Sequence, residues 1–212
     1  LNWPVLMLFS IIFYYFLSND NKLSAVEGAI LFTGLIIFVI IVLRNSSDAK
    51  SDDSIEELTL ISNFKIGIWL LIGGAALYFG SDWLVKGAVV IAQEIGVSEA
   101  VISVSIIAVG TSLPELAASV MAVVRNEKAI SLGNLIGSNI FNIGSVLGLT
   151  AMIKPIVVED SLIISRDLIW MLVFAAALLP LALILKRNEL RKTEGFALVF
   201  LYGIFIYIVF MP

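Results

Sequence analysis

Seven long apolar runs constrain the fold of this 212-residue chain more than any other feature. A helix of about 17–25 apolar residues crosses the roughly 30 Å hydrocarbon core of a bilayer. With 60% apolar and 14% charged residues, the chain also departs from soluble domains, which have about 45–50% and about 25%. We therefore expect an all-α polytopic membrane protein with seven transmembrane helices. The runs lie near 1–17, 25–43, 65–92, 100–124, 130–152, 164–185 and 195–211.

The composition also limits the chemistry that the chain can carry out. It contains no Cys and no His, which excludes thiolate and imidazole metal sites, disulfides and a histidine proton relay. The net charge of −4 leaves no basic face for a nucleic acid. We expect no cofactor, and any bound metal should be a hard ion held by oxygen atoms.

The basic residues predict how the chain lies in the membrane, because loops rich in Lys and Arg stay in the cytoplasm. Nine of the 13 basic residues fall on one side. The loops at 44–64, 125–129 and 186–194 are therefore predicted to be cytoplasmic, with an extracytoplasmic C-terminus, in the plasma (inner) membrane of a prokaryote. The nine are Arg44, Lys50, Lys65, Arg125, Lys128, Lys186, Arg187, Arg191 and Lys192.

Two polar joints suggest an internal repeat. Glu27-Gly28 and Glu194-Gly195 each open a closing apolar helix, and they are 167 residues apart. This offset predicts a five-helix unit, with 1–43 as the last two helices of one copy and 65–212 as a complete second copy. Five is odd, so the copies would be inverted, as in many secondary transporters. A chance match of two hairpins is the alternative.

The segment 44–64 is polar and acidic and separates the two copies. It lacks the spacing and the turn glycine of an EF-hand, so we interpret it as a solvated cytoplasmic linker and not as a calcium sensor. The carboxylates concerned are Asp48, Asp52, Asp53, Glu56 and Glu57. The first run begins at Leu1 without a charged n-region, and we interpret this start as an internal cut and not as a signal peptide.

Glu115 is the only ionisable residue deep inside a predicted span. A carboxylate in hydrocarbon costs at least a few kcal/mol and usually faces a functional cavity. Pro114 has no N–H for the carbonyl of Gly110, so the helix should open there. Glu115, the nearby hydroxyls and the freed carbonyls from Ala108 to Thr111 would form an all-oxygen set that suits Na⁺ or Ca²⁺.

The fifth run carries a matching polar stripe. Asn134, Ser138 and Asn142 recur every four residues and share one helix face. The short joint at 125–129 predicts an antiparallel hairpin with the fourth run. Equal distances from its middle place Asn139 level with Glu115, and Asn142 level with Ser112, so Asn139 is a further candidate metal ligand. Asn134, Ser119 or Ser131 alone would more simply be interhelical packing residues.

These residues resemble a known family. Gly110-Thr-Ser-Leu-Pro-Glu115, followed by Gly133-Asn-Leu-Ile-Gly-Ser-Asn-Ile-Phe-Asn142, is similar to the α-repeat of the cation/calcium exchangers, which include the sodium/calcium antiporters. The segment from Gly80 to Gly87 resembles the lead-in helix of that family. The resemblance covers about residues 65–152.

The resemblance implies a ten-helix antiporter of two inverted halves that exchanges Na⁺ for Ca²⁺ at a midplane site shared by two α-repeats. This chain would be helices four to ten, with the second α-repeat at 100–152, and its partner would be the missing N-terminal half. The implied ligands are the Glu115 carboxylate, the carbonyls of Thr111 and Ala108, the hydroxyls of Ser112 and Ser138, and Asn142, where some members have Asp.

The residues allow two other functions. A proton-coupled Ca²⁺ or cation exchanger would use Glu115 as a proton carrier. An intramembrane lipid-phosphate hydrolase would use Ser112 or Thr111 as nucleophile, but the spans lack the basic residues that phosphate requires. We therefore expect a transporter and not an enzyme.

Overall fold

The computed structural model describes residues 2–47, 62–97, 99–183 and 192–210. The five linker carboxylates considered above, and the basic residues of 184–191, lie outside these residues. The predictions made for those two segments are therefore not addressed by the structure.

Helical segments occupy each of the seven predicted runs. Runs four and five each consist of several helical segments. The α-helices of the described residues are α1 (Trp3–Asp20), α2 (Ala25–Ser47), α3 (Asn63–Glu94), α4 (Glu99–Ile102), α5 (Ala108–Thr111), α6 (Leu113–Val124), α7 (Lys128–Phe141), α8 (Gly148–Ile153), α9 (Leu168–Leu183) and α10 (Lys192–Phe210). Three π-helical turns, with wider hydrogen-bonded loops, precede α5, α8 and α9: Ser103–Ile107, Asn142–Leu147 and Ile163–Asp167.

Four stretches of the described helices are long and apolar enough to cross a membrane, and a bent pair in run four makes a fifth if it forms one span. On α3, Leu70 and Leu71 are 71% and 76% exposed, as expected for side chains that face lipid. The predicted helical membrane protein is confirmed, whereas the count of seven spans stays a prediction. The four are Ala25–Asn45, Phe64–Glu94, Ile130–Ile153 and Lys192–Val209.

The core lies where α1, α2 and α9 meet the helix formed by α7, the turn Asn142–Leu147 and α8. Buried apolar side chains from each of these elements fill it, including Phe9, Leu35 and Ile140. The indole Nε1 of Trp3 on α1 donates to the carbonyl of Ala175 on α9 at 2.6 Å. These contacts join helices that lie far apart in the sequence.

Helix α2 approaches α8 closely at Gly28. A Cβ placed on Gly28 would lie 2.6 Å from the carbonyl oxygen of Gly148 and 2.8 Å from Cβ of Ala151. Small residues let membrane helices pack backbone to backbone. Gly28 is therefore a packing residue of the core.

The polar joint before α2 forms a capping box. Glu27 Oε2 accepts hydrogen bonds from the N–H of Ser24 at 2.8 Å and from its hydroxyl at 2.7 Å. This arrangement satisfies helix-end donors that have no partner within the helix. It gives the glutamate of the first Glu-Gly joint a structural role.

A short antiparallel strand pair was not predicted from the sequence. Strand β1 (Lys22–Leu23) pairs with β2 (Ile156–Val157), with Lys22 opposite Val157. The described residues are otherwise mostly helical, so the predicted all-α class holds and the short strand pair is an addition to it. The pair places the joint after α1 and the joint after α8 at the same end of the molecule, as the topology prediction required.

Candidate functional site

The fourth apolar run bends where the sequence predicted that it would open. Its segments Ser105–Thr111 and Leu113–Val124 meet at 51°. Pro114 lies in the first turn of α6, where a missing N–H is tolerated. Glu115 occupies the same first turn, so its carboxylate lies near the positive end of the helix dipole.

The bend changes the hydrogen bonding of the Ala108 carbonyl. The N–H of Ser112, which would close an α-helical turn onto Ala108, bonds to the carbonyl of Val109 at 3.1 Å instead. The hydroxyl of Thr111 donates to the Ala108 carbonyl at 3.1 Å. A carbonyl oxygen accepts two bonds, so Ala108 retains capacity for a further hydrogen or a cation.

Irregular helix also occurs on the partner run. Asn142 begins the π-helical turn Asn142–Leu147, and Ser103–Ile107 is a second such turn on the other run. Single π turns inside helices are frequent at functional sites. Neither turn was predicted from the sequence, because no residue type indicates a π turn in the way that Pro indicates a kink.

The two runs form the predicted antiparallel hairpin, with α6 packed on α7. Nδ2 of Asn134 donates to the hydroxyl oxygen of Ser119 at 3.0 Å and to the carbonyl oxygen of Glu115 at 3.1 Å. The expected role of Asn134 and Ser119 in interhelical packing is confirmed. These bonds also fix the backbone of Glu115 against α7.

A cavity of about 1050 Å³ opens along this hairpin. Six of the seven predicted ligands line it, and Thr111 is not among the lining residues. Among the residues that the structure describes, Glu115 is the one carboxylate of the lining. The structure thus brings together residues 34 positions apart, from 108 to 142. The six are Ala108, Ser112, Glu115, Ser138, Asn139 and Asn142.

The carboxylate of Glu115 is incompletely satisfied. In the described part of the chain, the buried side-chain polar atoms without a hydrogen-bond partner are Oε2 of Glu115 and Oγ of Ser10. Ser10 is a small residue in the core face of α1, whereas an unpaired buried carboxylate oxygen is costly. A water, a cation or a proton at the cavity would satisfy the Glu115 oxygen.

The side chains across from Glu115 present oxygen atoms. The hydroxyl of Ser138 and the amide nitrogen of Asn139 both donate to the carbonyl of Leu135, at 3.3 and 2.8 Å. These bonds use the hydroxyl proton of Ser138 and one of the two N–H groups of Asn139, and they leave the lone pairs of the hydroxyl oxygen and of the amide oxygen available. Neutral oxygens of this kind are suited to Na⁺ or Ca²⁺.

Helix α10 contributes a wall that the sequence analysis did not predict. Lys192, Gly195 and Tyr202 line the same cavity as Glu115. Rings of Trp170 on α9 and Tyr202 each lie about 6 Å from Phe205, at 5.8 and 6.1 Å between centroids. The residues of α10 have no spacing of polar side chains that would predict a site. This wall of the cavity could therefore be recognised only from the packing of α10 against α9.

Comparison with known proteins gives a consistent result. Residues 65–211 match the sequence model of the family described as sodium/calcium exchanger protein. The chain is 37% identical over 98% of its length to CaxA of Alkalimonas amylolytica, covering 67% of that protein. It is 44% identical over 46% of its length to the sodium/calcium exchanger MaX1 of Methanosarcina acetivorans, covering 28% of that protein.

A solved structure shares the fold. The whole chain superposes on 65% of the sodium-calcium exchanger NCX_Mj, soaked with Na⁺ and Ca²⁺, with a TM-score of 0.70 and 27% identity. The chain therefore spans about two thirds of the length of CaxA and of NCX_Mj, whereas the match to MaX1 is confined to 98 residues.

Proposed function

The chain belongs to the sodium/calcium exchanger protein family, and on this premise we propose that it is part of a secondary antiporter that exchanges Na⁺ for Ca²⁺. The family and the relatives are transporters and not enzymes, so a lipid-phosphate hydrolase is no longer an alternative. The proposed substrates are the two ions, and the proposed surroundings are the lipid bilayer.

The buried, unpaired Oε2 of Glu115 carries this proposal. It lies at a cavity whose other predicted ligands, from Ala108 to Asn142, offer neutral oxygens. A bound cation would supply the charge that the carboxylate lacks. We therefore assign the ion site to this cavity, with Ala108, Ser112, Ser138, Asn139 and Asn142 around Glu115 and with Thr111 beside Ala108.

One carboxylate does not neutralise Ca²⁺. In the described residues, no group of three or more acidic side chains could hold a metal, and an uncompensated charge in low dielectric is costly. We propose that an upstream repeat with its own α-repeat supplies further acidic ligands. In this account 1–43 closes the first repeat, 44–64 links the repeats, and 65–212 is the second repeat.

The same charge balance gives a reason for coupling. Moving an unneutralised carboxylate through hydrocarbon costs several kcal/mol, so the site should change its exposure only when loaded with Ca²⁺ or with Na⁺. Asn142 contributes a neutral oxygen, which leaves less negative charge for the ions to match than an aspartate at this position would. Exchange results when the site, loaded with Ca²⁺ or with Na⁺, is exposed alternately to the two sides of the membrane.

The coupling ion provides the test of this proposal. In proteoliposomes that contain the full-length protein, an outward Na⁺ gradient at constant pH should drive ⁴⁵Ca²⁺ uptake, because Na⁺ replaces Ca²⁺ at the oxygen site. A pH gradient without Na⁺ should drive none. Uptake that follows the pH gradient in the absence of Na⁺ would replace this proposal with the proton-coupled exchanger.

The proposed orientation can be tested with single cysteines, since the chain has no native Cys. Arg125 lies at the tip between α6 and α7, and Lys154 follows α8 at the other end of the run. Arg125→Cys should react with an impermeant maleimide only after cells are permeabilised, because basic loops stay in the cytoplasm. Lys154→Cys should react in intact cells. The reverse pattern would invert the orientation.

A further inference from the structure

One face of helix α10 is left largely open by the described residues, although its Tyr202 ring lies 6.3 Å from that of Phe174 on α9. The helix packs on α9, but a Cβ placed on Gly195 would meet nothing within 4 Å. Val199 is 69% exposed. Gly195 and Tyr202 of this face also line the cavity that contains Glu115, so the face looks into the molecule and not only toward lipid.

The 167-residue offset makes α2 the counterpart of α10 and α1 the counterpart of α9. The two counterparts α1 and α9 pack against each other, as expected for inverted copies related by an axis between them. An ungapped alignment of 1–43 with 168–210 keeps several residues unchanged. Identical pairs include Trp3 and Trp170, Leu23 and Leu190, Glu27 and Glu194, Gly28 and Gly195, Leu31 and Leu198, and Phe38 and Phe205.

The counterpart face on α2 is fully occupied. Gly28, Leu31 and Leu35 are buried, and Gly28 contacts α8 through Gly148. A Cβ placed on Gly148 would lie 3.4 Å from Cβ of Phe32. This face of α2 is thus the seat of the helix that ends the second α-repeat.

We propose that the face of α10 formed by Gly195, Leu198, Val199 and Tyr202 is the seat of the corresponding helix of the upstream repeat. These residues are the counterparts of the α2 face: Gly28, Leu31, Phe32 and Leu35. The inference rests on the proposed two-repeat architecture and makes it specific. About a third of CaxA and of NCX_Mj lies outside the matched region, which leaves room for such a helix.

The offset also fixes which upstream residue reaches α10. Subtracting 167 from position 148 gives a position about 20 residues before Leu1. A glycine or another small residue is required there, because Gly28 and Gly148 approach backbone to backbone. The incoming helix would lie along the cavity wall formed by Gly195 and Tyr202, so the cavity is an interface between repeats.

Disulfide cross-linking tests this contact in the full-length protein, in a background without other cysteines. The test pair is Val199→Cys with single cysteines placed from about 16 to about 24 residues before Leu1. The positive control is Phe32→Cys with Gly148→Cys, whose Cβ separation of 3.4 Å is close to that of a disulfide. The negative control is Phe200→Cys, which is 72% exposed and next to Val199.

The expected result is an intramolecular cross-link for Val199→Cys, strongest about 20 residues before Leu1 and repeating every three or four positions. Phe200→Cys should lose this cross-link. A dimer band would identify a second copy of the protein as the occupant, and no cross-link despite a working positive control would leave the face to lipid. Either outcome overturns the proposal. Cross-linking needs no ion flux, so this result is independent of the Na⁺ and Ca²⁺ assays.

Discussion

The Glu115→Gln variant of the full-length protein should show no measurable Na⁺-driven ⁴⁵Ca²⁺ uptake. The amide keeps the size of the side chain and removes the carboxylate of Glu115, the one acidic side chain among the described residues that line the cavity. Losing one partner of a buried charge pair costs about 3 kcal/mol or more, which is roughly 100-fold or more in ion affinity. Uptake assays and Ca²⁺ binding to the purified protein measure the two effects separately.

The matched control is Glu127→Gln, which makes the same change at an exposed carboxylate before α7 that does not line the cavity. It should transport like the wild type. Equal elution volumes and melting temperatures of the two variants would show that the loss at Glu115 is not a folding defect. Wild-type uptake by Glu115→Gln would remove this residue from the ion site.

The Gly28→Ala variant should be less stable than the wild type, against the usual helix propensity. Ala normally stabilises a helix interior by about 1 kcal/mol relative to Gly. Here the added Cβ would lie 2.6 Å from the backbone oxygen of Gly148, which cannot move without shifting α8. Overpacking of this kind costs about 1–3 kcal/mol, so the melting temperature in detergent should fall, by about 2–4 °C for each kcal/mol lost in a chain of this size.

The Gly67→Ala variant, in contrast to Gly28→Ala, should not be destabilised. Gly67 lies on α3, and a Cβ placed there would meet nothing within 4 Å, so its melting temperature should stay the same or rise. The comparison separates helix propensity from packing because the two substitutions are chemically identical. A stabilised Gly28→Ala variant would mean that α2 and α8 are not packed backbone to backbone.

The parts of the site that sequence predicted were those with a local physical cause. Pro114 cannot donate to Gly110, so the bend followed from covalent structure. The short joint at 125–129 left no geometry but a hairpin, and the bond from Asn134 to Ser119 agrees with the predicted register. Polar residues in hydrocarbon are unfavourable unless they contact one another. Glu115 and Asn142, which counting residues along the hairpin places at similar depths, accordingly line one cavity.

The parts that sequence missed depend on packing between distant segments. The β1 and β2 strands are two residues long, too short for an alternating pattern. The wall of the cavity on α10 depends on ring contacts with α9, including that of Phe205 with Trp170. The π turn at Asn142–Leu147 lies where Gly144 fits against Leu35, a contact that no local pattern encodes.

The packing of α8 against Gly28 has a consequence for biosynthesis. Gly28 leaves the ribosome 120 residues before Gly148, and at about 5–20 residues per second the delay is on the order of ten seconds. During that time the glycine face of α2 has no partner from α8, and it is accessible to lipid or to any other nascent helix. The order of translation thus delays this backbone contact of the core until α8 has been made.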